Sequence, residues 1–134
     1  MKIESQKTTV SASQQEVFEF LSNAANIEHL LPKDNVSDFQ ASNDQCSFKV
    51  QGGITITLVQ NNLVPNERIE MKSGEKSPFP FDLTVHIAGD GSQSVGHLEF
   101  NGKVNSFMSM MVKKPLTNLF DYMSKKLEGQ FGEQ

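Results

Sequence analysis

The middle of the chain constrains the fold most, because residues 36–104 form a succession of short segments in which apolar and polar side chains alternate. Alternation with a period of two is the pattern of a β-strand that buries one face. Ile54, Ile56 and Leu58, separated by threonines, give one such strand. Turn signals such as N-D, P-N, S-G and G-D-G separate the segments. The pattern predicts an antiparallel sheet.

The last two strands of this region predict their own register. The alternating apolar side chains of the two strands lie on the same face of the sheet if the turn between the strands is centred on residues 89–93. That register sets His86 opposite His97 and Glu99 opposite Thr84, all on the outer face. Two histidines and a carboxylate could bind a divalent metal, but a solvated surface pair is the simpler interpretation, and no metal site is predicted.

Two short helices are predicted before the sheet. Ser13 followed three residues later by Glu16 is a capping box, which starts a helix over residues 14–23. A second helical segment over residues 25–31 must end near Pro32, because the residue before a proline is disfavoured in the helical region.

Residues 105–127 predict a long C-terminal helix. Residues 107–112 are apolar nearly all round, so this end is either buried from several directions or exposed as a contact patch. Pro115 should kink the helix or start its regular part from the first turn. At about 100° per residue, one apolar stripe follows the helix: Met108, Val112, Leu116, Leu119, Met123 and Leu127.

Composition limits the class of protein. A chain of 134 residues is long enough for one domain with a real core. Its 12 basic and 16 acidic residues give a net charge of -4, which argues against nucleic acid, and against an anionic membrane surface, as the main partner. There is no hydrophobic signal region, and no apolar run approaches the roughly 20 residues that cross a bilayer. These features predict a cytoplasmic protein without membrane insertion.

Cys46 is the only cysteine, so an intrachain disulfide and a cysteine zinc cluster are both ruled out. It alternates in phase with Phe48 and Val50, which predicts a small inward-facing apolar residue. A nucleophilic thiol would need a histidine or a helix N-terminus nearby, and nothing local in the sequence supplies one.

Four segments carry a resemblance to a known family. They are V-S-A-S-Q-Q-E-V-F-E-F-L-S-N near the start, I-E-H-L-L-P at residues 27–32, V-P-N-E-R at residues 64–68 and K-P-L-T-N-L-F-D-Y-M at residues 114–123. Together with the order of elements, they resemble the START-like helix-grip superfamily, SRPBCC, whose best-known fold is that of the birch pollen allergen. The chain looks most like small bacterial members and, more distantly, like the G-type subunit of carbon monoxide dehydrogenase.

The resemblance implies an α+β fold over residues 1–134, in which a curved antiparallel sheet wraps the long C-terminal helix and two short helices follow the first strand. That first strand, residues 3–10, is assigned by the resemblance alone. The resemblance also implies a cavity between sheet and helix for a small hydrophobic ligand, lipid or polyketide-like. No cofactor is predicted. The walls of the cavity would be Phe48, Val50, Ile56, Leu58, Phe81, Leu83, Val85, Leu98, Phe100, Met108, Met111, Val112, Leu119 and Met123. A solid core would use the same residues.

Three functions remain open at the level of sequence. The first is non-catalytic binding or carriage of an apolar ligand, although fold alone is an associational argument. The second is a protein-interaction module or homodimer that uses the apolar patch at residues 107–112. The third is an enzyme of the cyclase or dehydratase type, for which His29 and Tyr122 are the only titratable candidates near a cavity end.

Overall fold

The computed structural model describes residues 1–50, 53–89 and 91–131. Asp90, which falls inside the predicted turn over residues 89–93, lies outside the described residues. The elements follow one another as β1 (Lys2–Glu4), β2 (Thr8–Val10), α1 (Gln14–Leu21), a 3₁₀ segment (Ala24–Leu30), β3 (Val36–Ala41), β4 (Gln45–Val50), β5 (Ile54–Val64), β6 (Arg68–Ser73), β7 (Phe81–Gly89), β8 (Ser94–Gly102) and α2 (Ser106–Gln130).

The eight strands form one antiparallel sheet in the order β1-β8-β7-β6-β5-β4-β3, and β2 also pairs with β8. The predicted register of β7 and β8 is confirmed, since His86 faces His97 and Thr84 faces Glu99. Buried apolar residues alternate with outward polar ones along both strands. The α+β helix-grip architecture expected from the sequence is confirmed.

The predicted first strand is divided into two, because residues 5–7 interrupt it between β1 and β2. At the break, the Ser5 amide still donates to the Leu98 carbonyl at 2.9 Å. The Leu98 amide, however, donates to the Ser5 hydroxyl at 2.8 Å instead of to a backbone carbonyl. Ser124 of α2 adds a hydrogen bond from its own hydroxyl to that of Ser5, also at 2.8 Å. Side chains therefore replace the regular ladder at this edge.

Both short helices begin close to the predicted positions. The capping box is present, with the Glu16 amide donating to Ser13 Oγ at 3.2 Å and the Ser13 amide donating to Glu16 Oε1 at 3.0 Å. Helix α1 ends at Leu21, two residues before the predicted end. The second segment is a 3₁₀ helix rather than an α-helix. Leu31 after it is extended, as expected for the residue before Pro32.

Helix α2 lies on the inner side of the sheet and buries its second half. Leu116, Leu119, Phe120, Met123 and Leu127 are all buried, and the Phe120 ring packs on Phe100 of β8 with centroids 5.4 Å apart. The helix runs unbroken through Pro115. The proposal that its regular part starts at this proline is therefore wrong.

Strand β3 forms one edge of the sheet and is irregular. The pairing with β4 shifts register between Ser37 and Gln40, and Asp38 within it adopts a positive φ of 57°. Positive φ is unusual outside glycine, although aspartate tolerates it better than most residues. The edge strand is thus bent out of a flat ladder.

Among the helices of residues 1–50, 53–89 and 91–131, none is long and apolar enough to cross a membrane.

Candidate functional site

A small apolar cavity lies between the sheet, the 3₁₀ segment and α2. Its volume is about 30 Å³. Leu21 of α1 and Ile27 and Leu30 of the 3₁₀ segment close one side, and the second half of α2 closes another. The rest of the wall comes from β5 to β8, and the complete lining is Leu21, Ile27, Leu30, Leu58, Met71, Leu83, Val85, Gly96, His97, Leu98, Met123, Ser124 and Leu127.

A cavity of this size can hold only one or two water molecules, since one water needs at least about 10 to 15 Å³. Pockets that hold drug-sized ligands are roughly ten times larger or more. A cavity between the sheet and α2 is therefore present, but it is nearly filled by side chains. Any larger guest would have to displace part of the wall.

Apart from Met111, the predicted wall residues divide into three groups. Leu58, Leu83, Val85, Leu98 and Met123 line the cavity. Met108 is only partly buried. The remaining inward-facing ones are buried in the solid part of the core: Phe48, Val50, Ile56, Phe81, Phe100, Val112 and Leu119.

Met111 was placed on the wall incorrectly. Its side chain is 58% exposed, and it lies on the outer side of α2 with Phe107 and Met110. The physical reason is helical geometry, because Met111 stands about 140° around the helix from the fully buried Leu116. Of the two alternatives for residues 107–112, exposure as a patch is the correct one for these three side chains.

Several lining residues were missed at the level of sequence. Leu21, Ile27 and Leu30 fall within the two predicted short helices but are not among the predicted wall residues. Met71 sits in the same alternation as the neighbouring Ile69, which was the available signal. Ser124 carried no signal, since a serine in a helix is usually solvent-exposed.

Among the described residues, Ser124 is the one whose polar side chain faces into the cavity. It is 5% exposed and donates to the Ser5 hydroxyl. As a hydroxyl it retains capacity to accept a hydrogen bond. His97 also contributes to the lining from β8, but its ring stacks on His86 across the outer face, with centroids 4.7 Å apart.

A second, open groove of about 460 Å³ runs along the outer flank of α2. Its floor includes two of the predicted wall residues, Val50 and Leu119, so it borders the core from outside. Polar groups from α2 and from the connection to β3 rim it. The lining is Pro32, Asn35, Val36, Val50, Lys114, Pro115, Asn118, Leu119 and Tyr122.

The structure does not bring the two titratable candidates into the cavity. His29 is exposed on the 3₁₀ segment, where its ring lies 6.2 Å from that of Phe20. Tyr122 is 42% exposed and lines the outer groove. Cys46 is 2% exposed, and burial raises the pKa of its thiol to about 12, so the thiol stays protonated at neutral pH.

The outer face of β7 and β8 carries the predicted cluster of polar side chains. His86 Nε2 lies 2.8 Å from Glu99 Oε1, and Lys2 Nζ lies 3.5 Å from Glu99 Oε2. The hydrogen bond with His86 lowers the pKa of the Glu99 carboxyl below its usual range. Within the described residues, no group of three or more His, Cys, Asp or Glu side chains is arranged to hold a metal ion.

The sequence matches no protein-family model and no curated protein sequence. Solved structures, in contrast, match over nearly the full chain. A START superfamily protein from Mycobacterium smegmatis is 12% identical, with a TM-score of 0.73 over 97% of this chain and 96% of that one. The protein XoxI from Bacillus cereus is 12% identical, with a TM-score of 0.74 over 97% and 94%.

A third protein, CV1439 from Chromobacterium violaceum, is 13% identical, with a TM-score of 0.72 over 100% of this chain and 99% of that one. Identities this low establish the fold alone. The chain therefore has the START-like helix-grip fold that its sequence motifs resemble.

Proposed function

We propose that this protein binds a small apolar ligand between the sheet and α2, in an enlarged form of the cavity, without catalysing a reaction. The observation that carries the proposal is the chemistry of the lining. Apart from Ser124, every inward side chain around the cavity is apolar. Such a wall favours a lipid or polyketide-like molecule with at most one hydrogen-bonding group to meet Ser124.

Room for a ligand has to come from the least rigid wall. The β-strands are held by their ladders, and α2 is a continuous helix of 25 residues. Ile27 and Leu30 come from the 3₁₀ segment, whose hydrogen bonds have poorer geometry than those of an α-helix. Outward movement of this segment would open the cavity while sheet and α2 keep their contacts.

The lining gives little support to acid–base catalysis. Such chemistry needs a titratable group within reach of the bound molecule. His29 and Tyr122 lie outside the cavity, and the thiol of Cys46 is buried elsewhere in the core. His97 contributes to the lining, but its ring is stacked on His86 at the outer face of the sheet. The binding proposal therefore takes precedence over the enzyme alternative.

Titration with the fluorescent apolar probe N-phenyl-1-naphthylamine tests the proposal. Met123→Ala enlarges the cavity and should raise probe affinity, because the added space lets more of the probe leave water. Gly96→Ala fills it, since a Cβ at Gly96 meets only Leu127 Cδ2 at 3.6 Å and the His86 carbonyl at 3.7 Å. The lost space for one methyl group should weaken binding about fourfold.

Two variants control for effects outside the cavity. Met110→Ala removes a methionine that is 83% exposed, and Gly129→Ala adds a methyl group with nothing within 4 Å. Both should bind the probe like the parent protein. The proposal fails if neither the parent nor Met123→Ala takes up the probe, and if native mass spectrometry of protein purified from its own host shows only the bare chain.

A further inference from the structure

The first two turns of α2 present three large apolar side chains to solvent. Phe107, Met110 and Met111, called the apolar knob below, are 72%, 83% and 58% exposed. They fan over about 100° of the helix surface. Burial of one such side chain contributes about 1.5 to 3 kcal/mol, so a contiguous group of three left in water indicates a binding surface.

The described part of the chain leaves the first turns of α2 largely uncovered. Between Ser106 and Met111 no side chain is fully buried, and Met108 and Ser109 are only partly covered. Val112 is the first buried residue of the helix. The three side chains of the knob are thus largely in contact with solvent.

Three lysines lie close to the knob along the chain. Lys103 precedes the helix, and Lys113 and Lys114 follow Met111, and all three are exposed. On the helix, Lys114 stands about 20° from Phe107, on the same side. Residues 100–120 contain no aspartate or glutamate, although the chain as a whole carries a net charge of -4. Positive charge is therefore concentrated where the apolar side chains are exposed.

We propose that the apolar knob docks on a membrane surface that contains anionic lipids. Phe107, Met110 and Met111 would enter the boundary between headgroups and acyl chains, while the lysines bind phosphate groups beside them, as in peripheral amphipathic helices. Lysine suits this position, because its alkyl stem packs on apolar groups while its ammonium remains at the headgroups. Only side chains at one end of α2 enter the lipid.

A second copy of the chain fits this surface less well. In a two-fold dimer the same patch meets itself, so the lysines of one protomer would approach those of the other without a carboxylate between them. An anionic lipid surface supplies the opposite charge and an apolar layer in which the three exposed side chains can be buried. The net charge of -4 argued against an anionic membrane surface as the main partner. That charge is a property of the whole chain and does not reflect the local excess of lysine near the knob.

Vesicle flotation of the full chain tests the inference. At low salt the protein should float with vesicles of phosphatidylcholine and phosphatidylglycerol, but not with phosphatidylcholine alone, and added salt should weaken binding. Phe107→Ser with Met110→Ser should lower the affinity at least tenfold. Lys113→Gln with Lys114→Gln should lower it about fivefold per lysine.

The matched control is Lys125→Gln with Lys126→Gln, which makes the same change of charge near the other end of α2, also at exposed positions. This variant should float like the parent. Thermal unfolding of each variant verifies its fold, and Met110→Gln serves as a milder substitute for the double serine variant.

Absence of flotation with anionic vesicles at low salt would overturn the inference, and so would equal losses for both lysine pairs. A stable dimer that Phe107→Ser with Met110→Ser converts to monomer would assign the knob to a second copy instead. Neither result affects the ligand proposal, because none of these residues lines the cavity.

Discussion

At the scale of the residue, the buried hydroxyl of Ser5 takes part in three hydrogen bonds. It accepts from the Leu98 amide and from Ser124, and it donates to the Gln6 carbonyl at 3.1 Å. Ser5→Ala leaves the buried Leu98 amide without its partner, which costs about 1 to 3 kcal/mol. We expect the free energy of unfolding, measured in urea, to fall by that amount.

Ser124→Ala is the informative comparison. It removes one hydrogen bond but leaves the Ser5 oxygen bonded to the Leu98 amide. Its effect should be about 1 kcal/mol or less. If Ser124→Ala lowers the free energy of unfolding as much as Ser5→Ala or more, the Leu98 amide does not depend on the Ser5 side chain.

At the scale of the element, Pro115 sits in the tenth position of α2 and has no amide hydrogen for the carbonyl of Met111. A proline inside a helix costs about 3 kcal/mol, and its smaller entropy in the unfolded chain returns about 1 kcal/mol. Pro115→Ala should therefore raise the free energy of unfolding by about 1 to 2 kcal/mol. Urea unfolding measures this free energy, and Lys113→Ala, at an exposed position in the same helix, is the control. The prediction is contradicted if Pro115→Ala is no more stable than Lys113→Ala.

The elements also show which parts of the structure can be predicted from the sequence. The pairing of His86 with His97 was predictable, because one-residue slips would turn every apolar side chain of a strand outward. The interruption at Ser5 was not, since its side-chain hydrogen bonds join it to Leu98 and Ser124, which are 93 and 119 residues away in sequence. Met111 was assigned to the cavity wall from the family resemblance. Its angle of about 140° from Leu116 around the helix would have placed it on the outer side. Cavity size was beyond prediction, because the same apolar pattern serves a hollow or a filled core.

At the scale of the whole molecule, stability should fall as the pH falls below about 7. Burial, and then the neighbouring His86, lower the pKa of His97 in the folded protein. The unfolded chain, with an ordinary histidine pKa of about 6.5, therefore binds more protons over this range. By linkage, protonation favours unfolding. The lowered pKa of Glu99 acts in the same direction at a pH near or below 4, where its hydrogen bond with His86 is lost.

Urea unfolding midpoints at about pH 7.5 and about pH 5.5, on either side of the ordinary histidine pKa, measure the effect of His97. His97→Gln should reduce the difference between the two midpoints. His29→Gln, which changes an exposed histidine on the 3₁₀ segment, should leave the difference unchanged. A parent protein with equal midpoints at both pH values would refute the linkage.

The irregular borders of the sheet have a consequence for behaviour at high concentration. A long, flat edge strand is a template for the strands of other molecules, and so a starting point for aggregation. Here β3 is bent at Asp38, and the opposite border is divided between β1 and β2. Neither border offers a continuous row of free backbone groups. The path of seven strands in the sheet ends at β1 and at β3. Both edge strands can therefore remain unpaired on one side without recruiting further copies of the chain by strand addition.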